Sequence, residues 1–141
     1  MTRPTTVLFL CTGNSCRSQM AEGYARALGG DAIEALSAGI ESHGQNPRAI
    51  SVMADDGVDI SGQESTRLSD DMLARADVVV TVCGHADEHC PIVPPGVRKE
   101  HWPLPDPARA EGSEEEIMAE FRRVRDDIKR RVAGLIEPLI E

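Results

Sequence analysis

Aromatic side chains are scarce: the chain has one Trp, one Tyr and two Phe in 141 residues. So few rings leave little with which to line a cleft that grips a flat aromatic ligand. Long apolar runs are missing too, and none approaches the roughly 18 residues that a membrane span needs. At the N-terminus, Met1-Thr2-Arg3-Pro4-Thr5-Thr6 precedes only five apolar residues, with no small-residue cleavage site behind them. That is too short for a secretory signal, so the expected location is the cytoplasm. Excess positive charge is absent as well. The net charge of −9 repels phosphate backbones and anionic lipid surfaces, so neither nucleic acid nor membrane is an expected partner. The four cysteines are not a disulfide framework in a cytoplasmic chain long enough to bury a core. They are candidates for reactive thiols or metal ligands.

An apolar fraction of 40% and a charged fraction of 28% are those of an ordinary soluble domain, and residues 1–141 are expected to form one domain and to be monomeric. Thr6-Val7-Leu8-Phe9-Leu10 is a short continuous apolar run, as in a strand buried on both faces of a parallel sheet, with Cys11 at its carboxyl end. Met20, Ala21, Tyr24, Ala25 and Leu28 then recur at helical spacing up to Gly29-Gly30. A second strand is expected from Ile33 to Ser37, and Asn46-Pro47 reads as the N-cap and first position of a helix that stops before Gly57. Ser69-Asp70-Asp71 opens another helix through about Ala76. Asp77 to Val82 is the second strong buried strand, and Cys83 stands just past its end. The two cysteines should therefore share one sheet edge. A brief strand is expected around His101 and Trp102, within a Pro-rich stretch from Pro91 to Pro107. Ser113 and Glu116 form a capping box for a last helix whose apolar positions run from Ile117 to Leu135 and which ends near Pro138. This alternation predicts an α/β fold, a three-layer domain around a central parallel four-stranded sheet, in which ligands bind beyond the carboxyl ends of the strands.

Between the first strand and helix, Cys11-Thr12-Gly13-Asn14-Ser15-Cys16-Arg17-Ser18 is a Cys-X5-Arg loop. Backbone N–H groups from Thr12 to Arg17 can converge on an anion, aided by the positive end of the helix that follows. Gly13 and Asn14 tolerate the left-handed angles that such a loop uses. Arg17 supplies a planar fork matched to two oxyanion oxygens. The same dipoles favour a Cys11 thiolate, to which the Ser18 hydroxyl can donate. Cys16 points away if Cys11 points in, and is expected to pack as a bystander.

Further along, Cys83-Gly84-His85-Ala86-Asp87-Glu88-His89-Cys90 sets two thiols in a polar segment. Zinc ligation by Cys83, His85, His89 and Cys90 is one reading, though adjacent His89 and Cys90 suit one tetrahedral site poorly. A redox pair is favoured. Asp106, between Pro105 and Pro107, is a carboxylate on a rigid loop suited to acid catalysis, or simply a turn former.

Together these stretches, from Val7 through the loop to Gly23, Lys99-Glu100-His101-Trp102, and Phe121 to Asp126, resemble the thioredoxin-linked arsenate reductases, a family on the low-molecular-weight tyrosine phosphatase fold. The resemblance implies that Cys11 attacks arsenate held by the loop and Arg17 while Asp106 protonates the departing oxygen. It further implies that Cys83 attacks Cys11 and releases arsenite, and that Cys90 moves the disulfide to the 83 and 90 pair, which thioredoxin reduces. Members of the family often hold potassium near the loop; Asn14, Glu22 and Ser37 stand at matching positions, but a neutral Thr66 replaces an acidic ligand, so only a weak site is expected. A tyrosine phosphatase would use Cys11, Arg17 and Asp106 in the same way. Against it stand Cys83, Cys90, and Ala108 where such phosphatases place aromatics. A non-catalytic thiol redox sensor is the third reading.

Overall fold

The computed structural model describes residues 3–84 and 95–140. Strand β1 (Thr5–Cys11) is central, and its residues Val7 to Leu10 are fully buried, as expected of a strand covered on both faces. It pairs in parallel with β2 (Ile33–Gly39) on one side and with β3 (Val78–Thr81) on the other. A short β4 (Arg98–His101) closes the far edge in parallel with β3, giving the order β2-β1-β3-β4. The expected sheet is therefore present, with β2 longer than its sequence pattern suggested. The fourth strand ends at His101; Trp102 follows it, its amide donating to the Thr81 carbonyl of β3 at 2.8 Å and its ring packed against Phe9, with ring centroids 5.9 Å apart.

Helix α1 (Arg17–Gly29) ends where Gly30 takes φ 54°, a left-handed angle that costs glycine little. Helix α2 (Pro47–Asp55) starts as expected, the Asn46 side chain accepting from the backbone of Arg48 and Ala49. Helix α3 (Asp70–Arg75) is capped by Ser69. Helix α4 (Glu114–Ile136) begins with the complete Ser113 and Glu116 capping box. Its buried stripe of Phe121, Val124, Ile128 and Val132 packs along α1 and α2.

This layout positions the site. Leu10 lies opposite Ala38 of β2 and Thr81 of β3, so Cys11, Gly39 and the residues just after Thr81 all emerge at one carboxyl edge. Asn14 to Ser18 turn the chain from that edge into α1.

Candidate active site

The loop from Cys11 to Cys16 is held by its carbonyls. Those of Cys11, Thr12, Gly13 and Ser15 accept from the backbone amides of Ile40 (3.2 Å), Glu41 (2.9 Å), His43 (2.9 Å) and Asn46 (3.1 Å), all on the segment that leaves β2. The Asn14 carbonyl accepts from Gln19 Nε2 at 3.2 Å, and that of Cys16 from the Met20 amide at 2.9 Å. Six consecutive carbonyls thus face away from the concavity. Among the described residues, no protein acceptor meets the amides of Thr12, Gly13, Ser15, Cys16, Arg17 or Ser18. The amides at the start of α1 carry the positive end of the helix dipole, and no acidic side chain in the first turn neutralises it. A loop so arranged has the donor geometry suited to a tetrahedral anion.

Asn14 takes the left-handed angle expected of it, φ 51°, and is the one non-glycine residue described to do so. Gly13 does not. Its lack of a side chain matters for space, because a Cβ there would lie 2.8 Å from His43 Cγ.

Within the loop, Cys11 Sγ lies 2.8 Å from Ser18 Oγ and accepts from the Asn14 amide at 3.2 Å. Asn14 Nδ2 donates to Ser18 Oγ at 2.8 Å. Cys11 is buried, with 3% of its surface exposed. Arg17 is also mostly buried; its guanidinium donates to the Leu104 carbonyl at 3.0 Å and stands 3.7 Å from Asp106 Oδ2. Asp106 Oδ1 accepts from the Ala108 amide at 3.0 Å, capping the 3₁₀ turn Pro107–Arg109, so the acid is oriented by its own turn. Cys83 Sγ lies 3.3 Å from Thr12 Oγ1 at the same sheet edge. The geometry therefore brings Cys11, Arg17, Ser18, Cys83 and Asp106 around one loop. Cys90, with His85 and His89 of the zinc reading, lies outside the described residues.

A family model for low molecular weight phosphotyrosine protein phosphatase matches residues 6–141. The chain belongs to that family. Among its relatives, the arsenate reductase of Bacillus licheniformis is 54% identical over 132 residues, covering 94% of this chain and 95% of that one. A solved structure described as an arsenate reductase in the phosphate binding state is 38% identical, with a TM-score of 0.79 over 96% of this chain and 98% of that one. A thioredoxin-dependent arsenate reductase from Corynebacterium glutamicum also has a TM-score of 0.79, at 26% identity, over 98% of this chain and 63% of the longer partner. In this family member Cys16 is buried and its thiol is pushed up to about 12, chiefly by desolvation, with Ser15 compensating only in part.

The potassium-type positions are occupied by one another. Glu22 Oε1 accepts from Ser37 Oγ at 2.6 Å, while Oε2 is paired with the Arg26 guanidinium. Asn14 Oδ1 accepts from the Thr66 amide at 2.7 Å. A cation needs oxygens whose negative charge and lone pairs are free for it, whereas here a guanidinium already sits on the Glu22 carboxylate and two N–H groups already meet the Asn14 oxygen. As arranged, the donor set fits a potassium ion poorly.

Sequence reasoning missed several residues that shape the loop. Gln19 sits at its back with no exposed surface, a polar residue on a helix face otherwise read for apolar spacing. His43 and Gly39 touch the loop only through the fold, and the Leu104 carbonyl that anchors Arg17 carries no side-chain signal at all.

Proposed function

We propose that this chain reduces arsenate to arsenite in arsenic detoxification, taking electrons from thioredoxin through Cys11, Cys83 and Cys90. One observation carries the reading: in a chain 54% identical to an arsenate reductase, a second thiol, Cys83, lies against Thr12 of the oxyanion loop, 3.3 Å from its hydroxyl. A phosphatase has no use for that thiol.

The steps follow from the residues. Arsenate enters the concavity, its oxygens meeting the loop amides and the guanidinium of Arg17, which exchanges its Leu104 and Asp106 partners for the substrate. The Cys11 thiolate attacks arsenic and forms a sulfur–arsenic bond. One oxygen departs as water, with a proton from Asp106. Cys83 then attacks the Cys11 sulfur, giving a Cys11–Cys83 disulfide; the electron pair of the broken sulfur–arsenic bond goes to arsenic, which leaves as arsenite. Cys90 attacks Cys83 and regenerates the Cys11 thiolate, and thioredoxin reduces the remaining 83–90 disulfide. The whole cycle fits one domain over residues 1–141, acting as a monomer in the cytoplasm. Among the described residues no helix is long and apolar enough to cross a membrane. Potassium should be dispensable, since Arg26 already neutralises Glu22.

The deciding experiment is arsenate-dependent NADPH oxidation in the presence of thioredoxin and its reductase, run beside p-nitrophenyl phosphate hydrolysis. Turnover on arsenate with only slow ester hydrolysis is the expected result. Fast ester hydrolysis without arsenate turnover would make the chain a phosphatase.

A further inference from the structure

A carboxamide is directional: its oxygen only accepts hydrogen bonds and its nitrogen only donates them. At the back of the oxyanion loop three carboxamides stand in series, and the direction of each can be worked out from partners that have no choice. Arg26 is a pure donor, and its Nη1 lies 3.0 Å from Gln63 Oε1. The other end of Gln63, Nε2, therefore donates inward, to Gln19 Oε1 at 2.8 Å and the Gln19 carbonyl at 3.1 Å. Gln45 Nε2 adds a second contact to Gln19 Oε1 at 3.3 Å. Gln19 Nε2 then faces only acceptors: the Glu64 carbonyl at 2.8 Å, the Asn14 carbonyl at 3.2 Å and Asn14 Oδ1 at 3.3 Å. A reversed amide would set oxygen against three oxygens in a site closed to water.

The consequence reaches the nucleophile. With Asn14 Oδ1 held by Gln19 and by the Thr66 amide at 2.7 Å, Asn14 Nδ2 is left facing Ser18 Oγ at 2.8 Å. Ser18 has one hydroxyl proton. With Asn14 donating to its oxygen, the Ser18 proton is free to turn to Cys11 Sγ, 2.8 Å away, and it is the donor of that pair whenever Cys11 is a thiolate. Gln19 also ties the Asn14 carbonyl outward at φ 51°, which leaves the Asn14 amide pointing at the same sulfur.

We propose that Gln19 is a positioning residue for Cys11, its carboxamide acting together with the Thr66 amide to hold Asn14, and through it the two hydrogen bonds that converge on the sulfur. It touches neither substrate nor sulfur and acts through Asn14 and Ser18. Arg26 and Gln63 hold it in the productive direction from the protein surface. The inference rests on Cys11 being the attacking thiol.

Two variants test it. Gln19→Glu keeps the shape but has no donor to offer the three acceptors, and Gln19→Met keeps the volume without polarity. Alkylation of Cys11 by iodoacetamide at pH 7, localised by fragment-ion mass spectrometry, is expected to slow about ten-fold in each, the weight of one hydrogen bond to a charged group. The kcat for arsenate should fall by a similar factor while KM changes by less than about three-fold. A folded Gln19→Met protein, judged by its thermal melt, with alkylation and kcat within two-fold of the parent would overturn the proposal. Gln19→Met carries the test if Gln19→Glu does not fold. Alkylation that depends on Gln19 in a parent enzyme without arsenate turnover would sink the reductase reading and leave this one standing.

Discussion

Gly39→Ala is expected to damage both the fold and the oxyanion loop, because a Cβ at that position has nowhere to go. It would sit 2.7 Å from the Asn14 nitrogen and 2.8 Å from the Thr12 oxygen, with the Glu41 oxygen closer still. All three are backbone atoms, so no side-chain rotation relieves the contact. Relief requires the loop and the 40–46 segment to move apart, which stretches the Glu41 to Thr12 and Ile40 to Cys11 hydrogen bonds. Two such bonds are worth about 1 kcal/mol each, and overpacking adds about 1–3 kcal/mol, so the total loss should be about 3–5 kcal/mol. Urea denaturation reads it as a lower midpoint at unchanged slope. Isothermal titration with phosphate should show weakened binding in parallel, since the Asn14 amide is one of the displaced atoms. Gly13→Ala is the control. There the new methyl meets the side chain of His43, which is about half exposed and can swing outward, so the expected cost is only about 1 kcal/mol. A Gly39→Ala protein within 1 kcal/mol of the parent and with unchanged phosphate affinity would refute the argument.

Other outcomes follow from the site. Cys11→Ser should abolish arsenate reduction and ester hydrolysis alike, whereas Cys83→Ser should stop reductase turnover and spare slow ester hydrolysis, because water can resolve a phosphoenzyme but cannot replace a resolving thiol. Equal loss of both activities in Cys83→Ser would remove that cysteine from the relay. Asp106→Asn should lower the kcat for arsenate by about 10²–10⁴-fold with little change in substrate affinity, and stopped-flow kinetics would detect a smaller effect. Cys16, buried with its thiol pushed up to about 12, should escape labelling by an aromatic disulfide reagent at pH 8 until the protein unfolds; labelling at the rate of Cys11 would contradict that burial. Steady-state rates in potassium and sodium chloride at equal ionic strength should agree within about two-fold, and a several-fold preference for potassium would mean that Arg26 yields Glu22 to the ion.

Features that depend on near neighbours in the chain were legible in advance. The run Val7 to Leu10 announces a strand covered on both faces, Asn46-Pro47 and Ser113 with Glu116 announce helix starts, and the Cys-X5-Arg spacing announces the loop, because each is decided within a few residues. What could not be read is what the fold brings from afar. Ile40 to Asn46 grip the loop through backbone amides, which leave no trace in side-chain identity. Gln19, two places after Arg17, looks like any polar residue in a helix until Gln63 and Glu64, more than forty positions on, close around it. The strand expected around His101 and Trp102 is present and ends at His101, with the packing of Trp102 on Phe9, more than ninety positions away, not readable from the local pattern.

The carbonyl grip of the 40–46 segment also constrains how this region can vary. Four of its amides meet four carbonyls of a loop that is itself fixed to β1, so the match is one of register and not of side-chain chemistry. Substitutions at Ile40 or Ser42 leave the amides where they are. The insertion or loss of a single residue between Gly39 and Asn46 would shift every amide after it past its carbonyl, freeing carbonyls to turn into the concavity and repel the anion. Tolerance of substitution together with intolerance of length change is therefore built into this stretch, although it runs along the surface, where length is ordinarily the easiest thing to alter.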